Sequence, residues 1–173
     1  MTRKPVPGDG GTQAILRHWR EAVPNDRLAH LVRDAAKGLT RALQARLAEE
    51  GVSFGHWVFL RILWETDGLT QSELSEQAGV MEPTTFAALK AMERLGYIKR
   101  RKTPENRKKV FIHLTPEGRS LKMRLVPLAV EVNRVAVNGA AGGDLAPTRA
   151  PLLKMIEKLG ADESNPIAGD RPE

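Results

Sequence analysis

The chain contains no cysteine. Disulfides, thiolate metal sites and thiol-based redox chemistry are therefore closed to it. Aromatic residues make up only 5% of its 173 residues, and no apolar run approaches the length that crosses a bilayer. The opening MTRKPVPGDGG lacks the apolar core of a signal peptide, so a cytoplasmic location is expected. His18, His30, His56 and His113 show no metal-ligand spacing. The sequence also lacks a nucleophile elbow, a glycine-rich phosphate loop and paired catalytic carboxylates. Neither an enzyme nor a metal or cofactor protein is expected.

What is present is ordinary for a helix-rich globular chain: 41% hydrophobic residues, enough for a real core at this length, and 28% charged. The formal charge of +6 and a pI near 9.9 suit an anionic partner. Where the cations cluster says more than the total.

They cluster within residues 69–114. Thr70-Gln71-Ser72-Glu73 reads as a capping box, starting a short helix that ends at Gly79. A second helix begins near Pro83, whose missing N–H is harmless in a first turn. Phe86, Leu89, Met92 and Leu95 recur at helical spacing and predict a buried face. The opposite face, with Glu82, Thr84, Thr85 and Ala88, is small and polar. Helix, short turn, second helix is the helix-turn-helix pattern, whose second helix can enter a DNA major groove. Two β-prone runs then flank a turn-forming loop at 103–106, predicting a hairpin. Lys99, Arg100, Arg101, Lys102, Arg107, Lys108 and Lys109 face only Glu105 there, an imbalance that favours a phosphate-gripping wing over a merely solvated edge.

The stretch LTQSELSEQAGVMEPTTFAALKAMERLGYIKRRKTPENRKKVFIHLTPEGRSL resembles the winged helix-turn-helix of the MarR (multiple antibiotic resistance regulator) family. The resemblance extends over roughly residues 25–160 and is most specific from Leu69 to Leu121. LTPEG at 114–118 matches the family pattern, whereas the wing motif Asp-x-Arg reads Asn106-Arg107-Lys108 here. An amide stands where an acidic brace is usual, and Lys108 meets phosphate as a point charge rather than a planar fork. The resemblance implies a mainly α protein: a winged helix-turn-helix with a two-stranded β-wing and long N- and C-terminal dimerisation helices. It implies a homodimer acting on double-stranded DNA, in this case a repressor released by a small aromatic or phenolic ligand. Some relatives in that family sense oxidants through cysteine, a route this chain lacks.

The organisation expected is a tail or arm at 1–24, a dimerisation helix at 25–52, the DNA-binding domain at 53–114, C-terminal dimerisation helices at 115–160 and a disordered tail at 161–173. Residues 14–23 can add a helical turn or two. Leu28, Val32, Ala35, Leu39, Leu43 and Leu47 form a helical stripe with apolar surface to spare. Ser53 caps FGHWVFLRILWE, apolar nearly all round and hence buried. Thr115-Pro116 starts a helix in which Leu121, Leu125, Leu128, Val132 and Val135 form a narrow seam and Pro127 predicts a kink. The last helix is expected from about Pro147 to Leu159, with Pro151 in or near its first turn. The seam, the last helix and the spare face of residues 26–47 together predict the dimer interface.

For DNA, Thr84 and Thr85 are the base-edge candidates, with Glu82 accepting from a cytosine amine or capping the helix and Ala88 on the same face. Ser72, Lys90, Arg100, Arg101, Arg107 and Lys108 are the phosphate candidates. For a ligand, Phe54, Trp57 and Trp64 offer aromatic walls, and His30, Arg33, His56 and Arg61 offer polar groups, Arg61 as a carboxylate anchor or as a partner of Glu65. The rival to a DNA regulator is a winged-helix module that binds protein or RNA without ligand response, because fold alone does not fix function.

Overall fold

The computed structural model describes Leu16 and residues 27–102, 109–138 and 145–164. The expected N-terminal tail, the wing tip at 103–108, the loop at 139–144 and the tail beyond residue 164 lie outside the described residues. The elements run α1 (Leu28–Glu49), α2 (Phe54–Glu65), β1 (Leu69–Thr70), α3 (Gln71–Ala78), α4 (Glu82–Arg94), β2 (Ile98–Arg101), β3 (Phe111–Leu114), α5 (Pro116–Val137) and α6 (Ala146–Ser164). Contacts divide the chain into two units, Met1–Ala42 and Leu43–Glu173. In the first, Leu28, Leu31, Val32 and Leu39 of α1 are exposed. No described helix is long and apolar enough to cross a membrane.

In the second unit the caps fall where the sequence puts them. Ser53 accepts from the His56 amide and Thr115 from the Gly118 amide, each satisfying an orphan donor of a first turn. Thr70 and Glu73 form the reciprocal capping box, and Gly79 ends α3 at φ 64°, a conformation cheap only for glycine. α2, apolar on most sides, packs against α3, α4, α5 and β3. Trp57, Phe59, Leu60 and Leu63 enter one core with Leu74, Leu89, Met92, Ile112, Leu121 and Leu125.

The sheet has three strands in the order β1-β3-β2, all antiparallel, where the sequence predicted a two-stranded hairpin. β1 is only two residues long, pairing Leu69 with Ile112 and Thr70 with Phe111, too short to leave an alternating pattern. On β3, Ile112 and Leu114 are buried while Phe111 and His113 are half-buried. Asp67, in the turn between α2 and β1, closes the assembly. Its carboxylate accepts from the Leu114 amide at 2.8 Å and from Arg119 of α5 at 2.7 Å, and lies 3.7 Å from His113 Nδ1.

Two expectations are corrected. The buried face of α4 is Thr85, Leu89 and Met92, while Phe86 and Leu95 are 48% and 45% exposed. The helix is rotated about its axis because the small Thr85, not the bulky Phe86, fits against α3. On α5, Leu121, Leu125 and Val132 of the expected seam are buried within this chain, and Val135 is exposed. That seam covers the chain's own core and is not a free dimer surface. Pro151 lies inside α6 as its sixth residue, where the sequence put it in or near the first turn. α5 runs through Pro127 as one helix. Pro127 stands on the exposed side, where water can serve the carbonyl that proline leaves without a donor.

Candidate nucleic-acid interface

α3 and α4 pack on each other across the turn at Gly79. Between them Ser75 Oγ donates to the Gln71 carbonyl at 2.9 Å and accepts from the Thr85 hydroxyl at 2.8 Å. Thr85 has no exposed surface, so the expectation that it meets a base edge is wrong: its hydroxyl joins the two helices. Its neighbour Thr84 is exposed, as are Glu82, Phe86, Ala87 and Lys90. These residues make the outward face of α4. Ala88 is half-buried at its margin, and Ser72 is exposed on the first turn of α3. Glu82 is the first residue of α4 and not its cap, since Met81 holds the cap position without a side-chain bond.

Glu73 accepts from the Thr70 amide at 2.7 Å and the Thr70 hydroxyl at 2.8 Å. Those bonds hold its carboxyl below the usual range and favour its charged form in the first turn of α3.

Beside α4 stand Lys99, Arg100 and Arg101 on β2, then Lys102, with Lys109 on the returning side. Arg101, Lys102 and Lys109 are exposed. Arg100 departs from its expected phosphate role. Its guanidinium carbon lies 5.5 Å from the centroid of the Phe86 ring, and its Nε lies 3.2 Å from the Glu93 carboxylate. The Nε is buried and makes no hydrogen bond among the described residues. Arg100 therefore braces the wing against α4, because its charge is already engaged by a carboxylate and a ring face. Arg107 and Lys108 lie outside the described residues.

His30 and Arg33 are exposed on α1, and Arg33 pairs with its neighbour Asp34 at 3.4 Å. On α2, Trp57 is 5% exposed and meets Trp64 edge-on, with centroids 5.7 Å apart. Trp64 Nε1 donates to the Gly118 carbonyl at 2.8 Å. Both indoles are thus core and brace for α5, not the open aromatic walls expected. Arg61 is exposed, pairs with Glu65 one turn on at 3.6 Å and lies over the Trp57 ring. Its role as carboxylate anchor gives way to that local pair. Phe54 is half-buried at the core margin. His56 is half-buried, with Nδ1 fully enclosed and no hydrogen-bond partner among the described residues, and burial pushes its pKa down toward the neutral ring. Among the described residues no group of three His, Asp or Glu side chains could hold a metal ion.

Sequence reasoning missed Phe86 and Ala87 as outward-facing. The available signal was the phase of the small residues: a face running Thr85, Leu89, Met92 leaves Phe86 and Lys90 outside.

The model of the MarR family matches residues 52–110, from the end of the α1–α2 connection to the start of β3. The organic hydroperoxide resistance transcriptional regulator of Bacillus subtilis is 26% identical over 134 residues, covering 78% of this chain and 90% of that protein. The homoprotocatechuate degradative operon repressor of Escherichia coli is 27% identical over 138 residues, covering 80% of this chain and 90% of that protein. Among solved structures, a Mycobacterium tuberculosis MarR family protein in complex with salicylic acid superposes with a TM-score of 0.60, at 24% identity over 81% of this chain and 98% of that one. The helix-turn-helix, the three-stranded wing sheet and the flanking helices are those of that fold, and residues 52–110 of this chain match the MarR family.

Proposed function

We infer that this chain is a sequence-specific, dimeric DNA-binding transcriptional regulator. The outward face of α4 enters the major groove, and the wing lies on the flanking phosphates. The observation that carries this reading is the juxtaposition of that exposed face with a cationic β2–β3 wing. Two copies related by a two-fold axis would place their α4 helices in successive major grooves, with half-site centres about 10 bp apart. Thr84 and Glu82, with Ala88 at the margin, are assigned to base edges. Ser72, Lys90, Arg101, Arg107 and Lys108 are assigned to phosphates. Residues 53–114 then form the DNA-binding domain, and the helices within 25–52 and 115–160 serve dimerisation.

Repression relieved by a small aromatic ligand is the regulatory mode we assign. Its support is the company the chain keeps: one relative is named for a homoprotocatechuate operon, and one similar structure contains salicylic acid. His56 supports it too, since its enclosed Nδ1 is a polar atom without a hydrogen-bond partner among the described residues. The likeness to a hydroperoxide resistance regulator does not extend to thiol sensing, for which this chain has no cysteine. A releasing ligand must bind the DNA-free arrangement better, because equal affinity for both states shifts nothing.

The test is fluorescence anisotropy with random duplex DNA at two salt concentrations, for the wild type and an Arg107→Ala/Lys108→Ala variant. The wild type should lose affinity steeply with salt, and the variant should bind every sequence more weakly, with a log–log slope flatter by about 1.8. Binding indifferent to salt would overturn the reading in favour of a protein- or RNA-binding module. A variant with the wild-type affinity and slope would remove the wing from the interface.

A further inference from the structure

Phe86 stands on the outward face of α4 with 48% of its surface in water. Leaving a ring in solvent has a free-energy cost, yet the interior position one residue earlier on the same helix holds a threonine. The ring shares its side of the helix with Lys90 and Glu93, four and seven residues on, both exposed. It is also fixed: the Arg100 guanidinium stacks 5.5 Å from its centroid, and Arg100 is held in turn by Glu93 at 3.2 Å. An exposed aromatic held by a cation–π contact is a preorganised apolar surface.

Within a major groove few groups can receive such a surface. Base edges offer donors and acceptors that a phenyl ring cannot pair with, and the exception is the C5 methyl of thymine. Resting on the DNA-reading function inferred above, we propose that Phe86 is a specificity-determining residue that reads one thymine in each half-site through its methyl group. Arg100 is the positioning residue that fixes the ring. Lys90, one turn on and exposed, stands beside that contact.

The experiment begins by selecting duplexes from a random pool with the full chain. Each thymine of the selected half-site is then replaced in turn by deoxyuridine, which differs only by the methyl. Affinities are measured by anisotropy for the wild type, Phe86→Ala and Phe86→Gln, with a thermal melt to confirm that each is folded. The glutamine variant keeps length and helix propensity, which guards against loss of the alanine protein. The wild type should weaken about fourfold at one thymine per half-site, the change expected for one methyl-sized group. Both variants should be indifferent to that replacement. An equal penalty in the variants would assign the methyl to another residue and overturn the proposal. A wild type indifferent at every thymine, or a selected site without thymine, would overturn it while leaving the regulator reading intact. If no duplex is enriched and binding ignores salt, DNA reading itself fails and this inference falls with it.

Discussion

Ser75 and Thr85, one on each helix of the helix-turn-helix, are buried and joined hydroxyl to hydroxyl at 2.8 Å. The pair sets the rotation of α4, turning Thr85 inward and Thr84 and Phe86 outward. Thr85→Lys should bury an unpaired charge and cost about 3–5 kcal/mol, so that binding to all sequences falls together with the melting temperature. Thr85→Val should cost no more than about 1 kcal/mol, because Ser75 keeps the Gln71 carbonyl at 2.9 Å. Thermal unfolding by circular dichroism measures both. A Thr85→Lys protein that melts like the wild type and prefers a new sequence would return Thr85 to the base-reading face.

Gly118 is the point where α5 meets the wing. A Cβ there would run into the backbone carbonyl of Tyr97 and crowd the Leu114 side chain. That carbonyl already accepts from the Thr115 amide at 3.0 Å, so it is not free to move. Gly118→Ala should cost about 1–3 kcal/mol by overpacking, lowering the melting temperature by roughly 2–4 °C per kcal/mol. Trp64→Phe, which removes the bond to the Gly118 carbonyl and part of the ring packed against Trp57, should cost about 1–3 kcal/mol. An alanine variant as stable as the wild type would mean that α5 slides freely against the wing.

Much of this architecture was legible in the chain. The capping box at Thr70, the cap at Ser53, the Thr115-Pro116 start and the glycine stop at Gly79 are local chemistry, and local chemistry survives folding. Which side of a helix faces inward was harder. Around α4 both Thr85 and Phe86 continue an apolar-compatible phase, and the choice was made by Ser75 on another helix, which periodicity cannot see. The same holds for Arg100. It was read by its charge, and it found a carboxylate and a ring that only the fold brings close, whereas the Arg61–Glu65 pair, one turn apart on one helix, was legible as an alternative. On α5 the leucine seam was real, but a seam does not say whether its partner is the chain's own core or another copy.

Asp67 makes the joint between α2, β3 and α5 sensitive to acid. Partial burial alone would raise its pKa, but the Leu114 amide, the bond and charge of Arg119 and the nearby His113 together outweigh it and hold the carboxyl below its ordinary value. A carboxylate depressed on folding contributes stability that is present above its unfolded pKa and lost as pH falls through the folded one. Asp67→Asn should therefore destabilise at neutral pH, and the difference from wild type should shrink as pH drops below the ordinary aspartate range. The asparagine oxygen can still accept from Leu114, and Arg119 is largely exposed, so about 1 kcal/mol is expected at pH 7. Urea unfolding across pH tests it. A difference that persists unchanged in acid would show that charge is not what Asp67 contributes.

The dimer surface must be sought on faces other than the one the leucine seam suggested. On α5, Met123 and Val130 are 81% and 60% exposed, on the side of Pro127 and away from buried Leu121 and Leu125. On α6, Leu152, Leu153, Ile156 and Leu159 form a stripe at helical steps and are 39–69% exposed. Such a stripe left in water costs about 25 cal/mol for each Å² that a partner would otherwise cover, and single apolar residues scattered on a surface do not line up this way. A second copy with the same stripe is self-complementary about a two-fold axis, the commonest closed assembly. Sedimentation at micromolar concentration should give a species of twice 19.1 kDa. Ile156→Glu with Leu159→Glu, both exposed in the single chain, should leave the fold's melting cooperative, shift the mass toward the monomer and weaken binding to two half-sites far more than to one. A wild type that sediments only at 19.1 kDa would overturn the assignment, as would a double variant that stays dimeric.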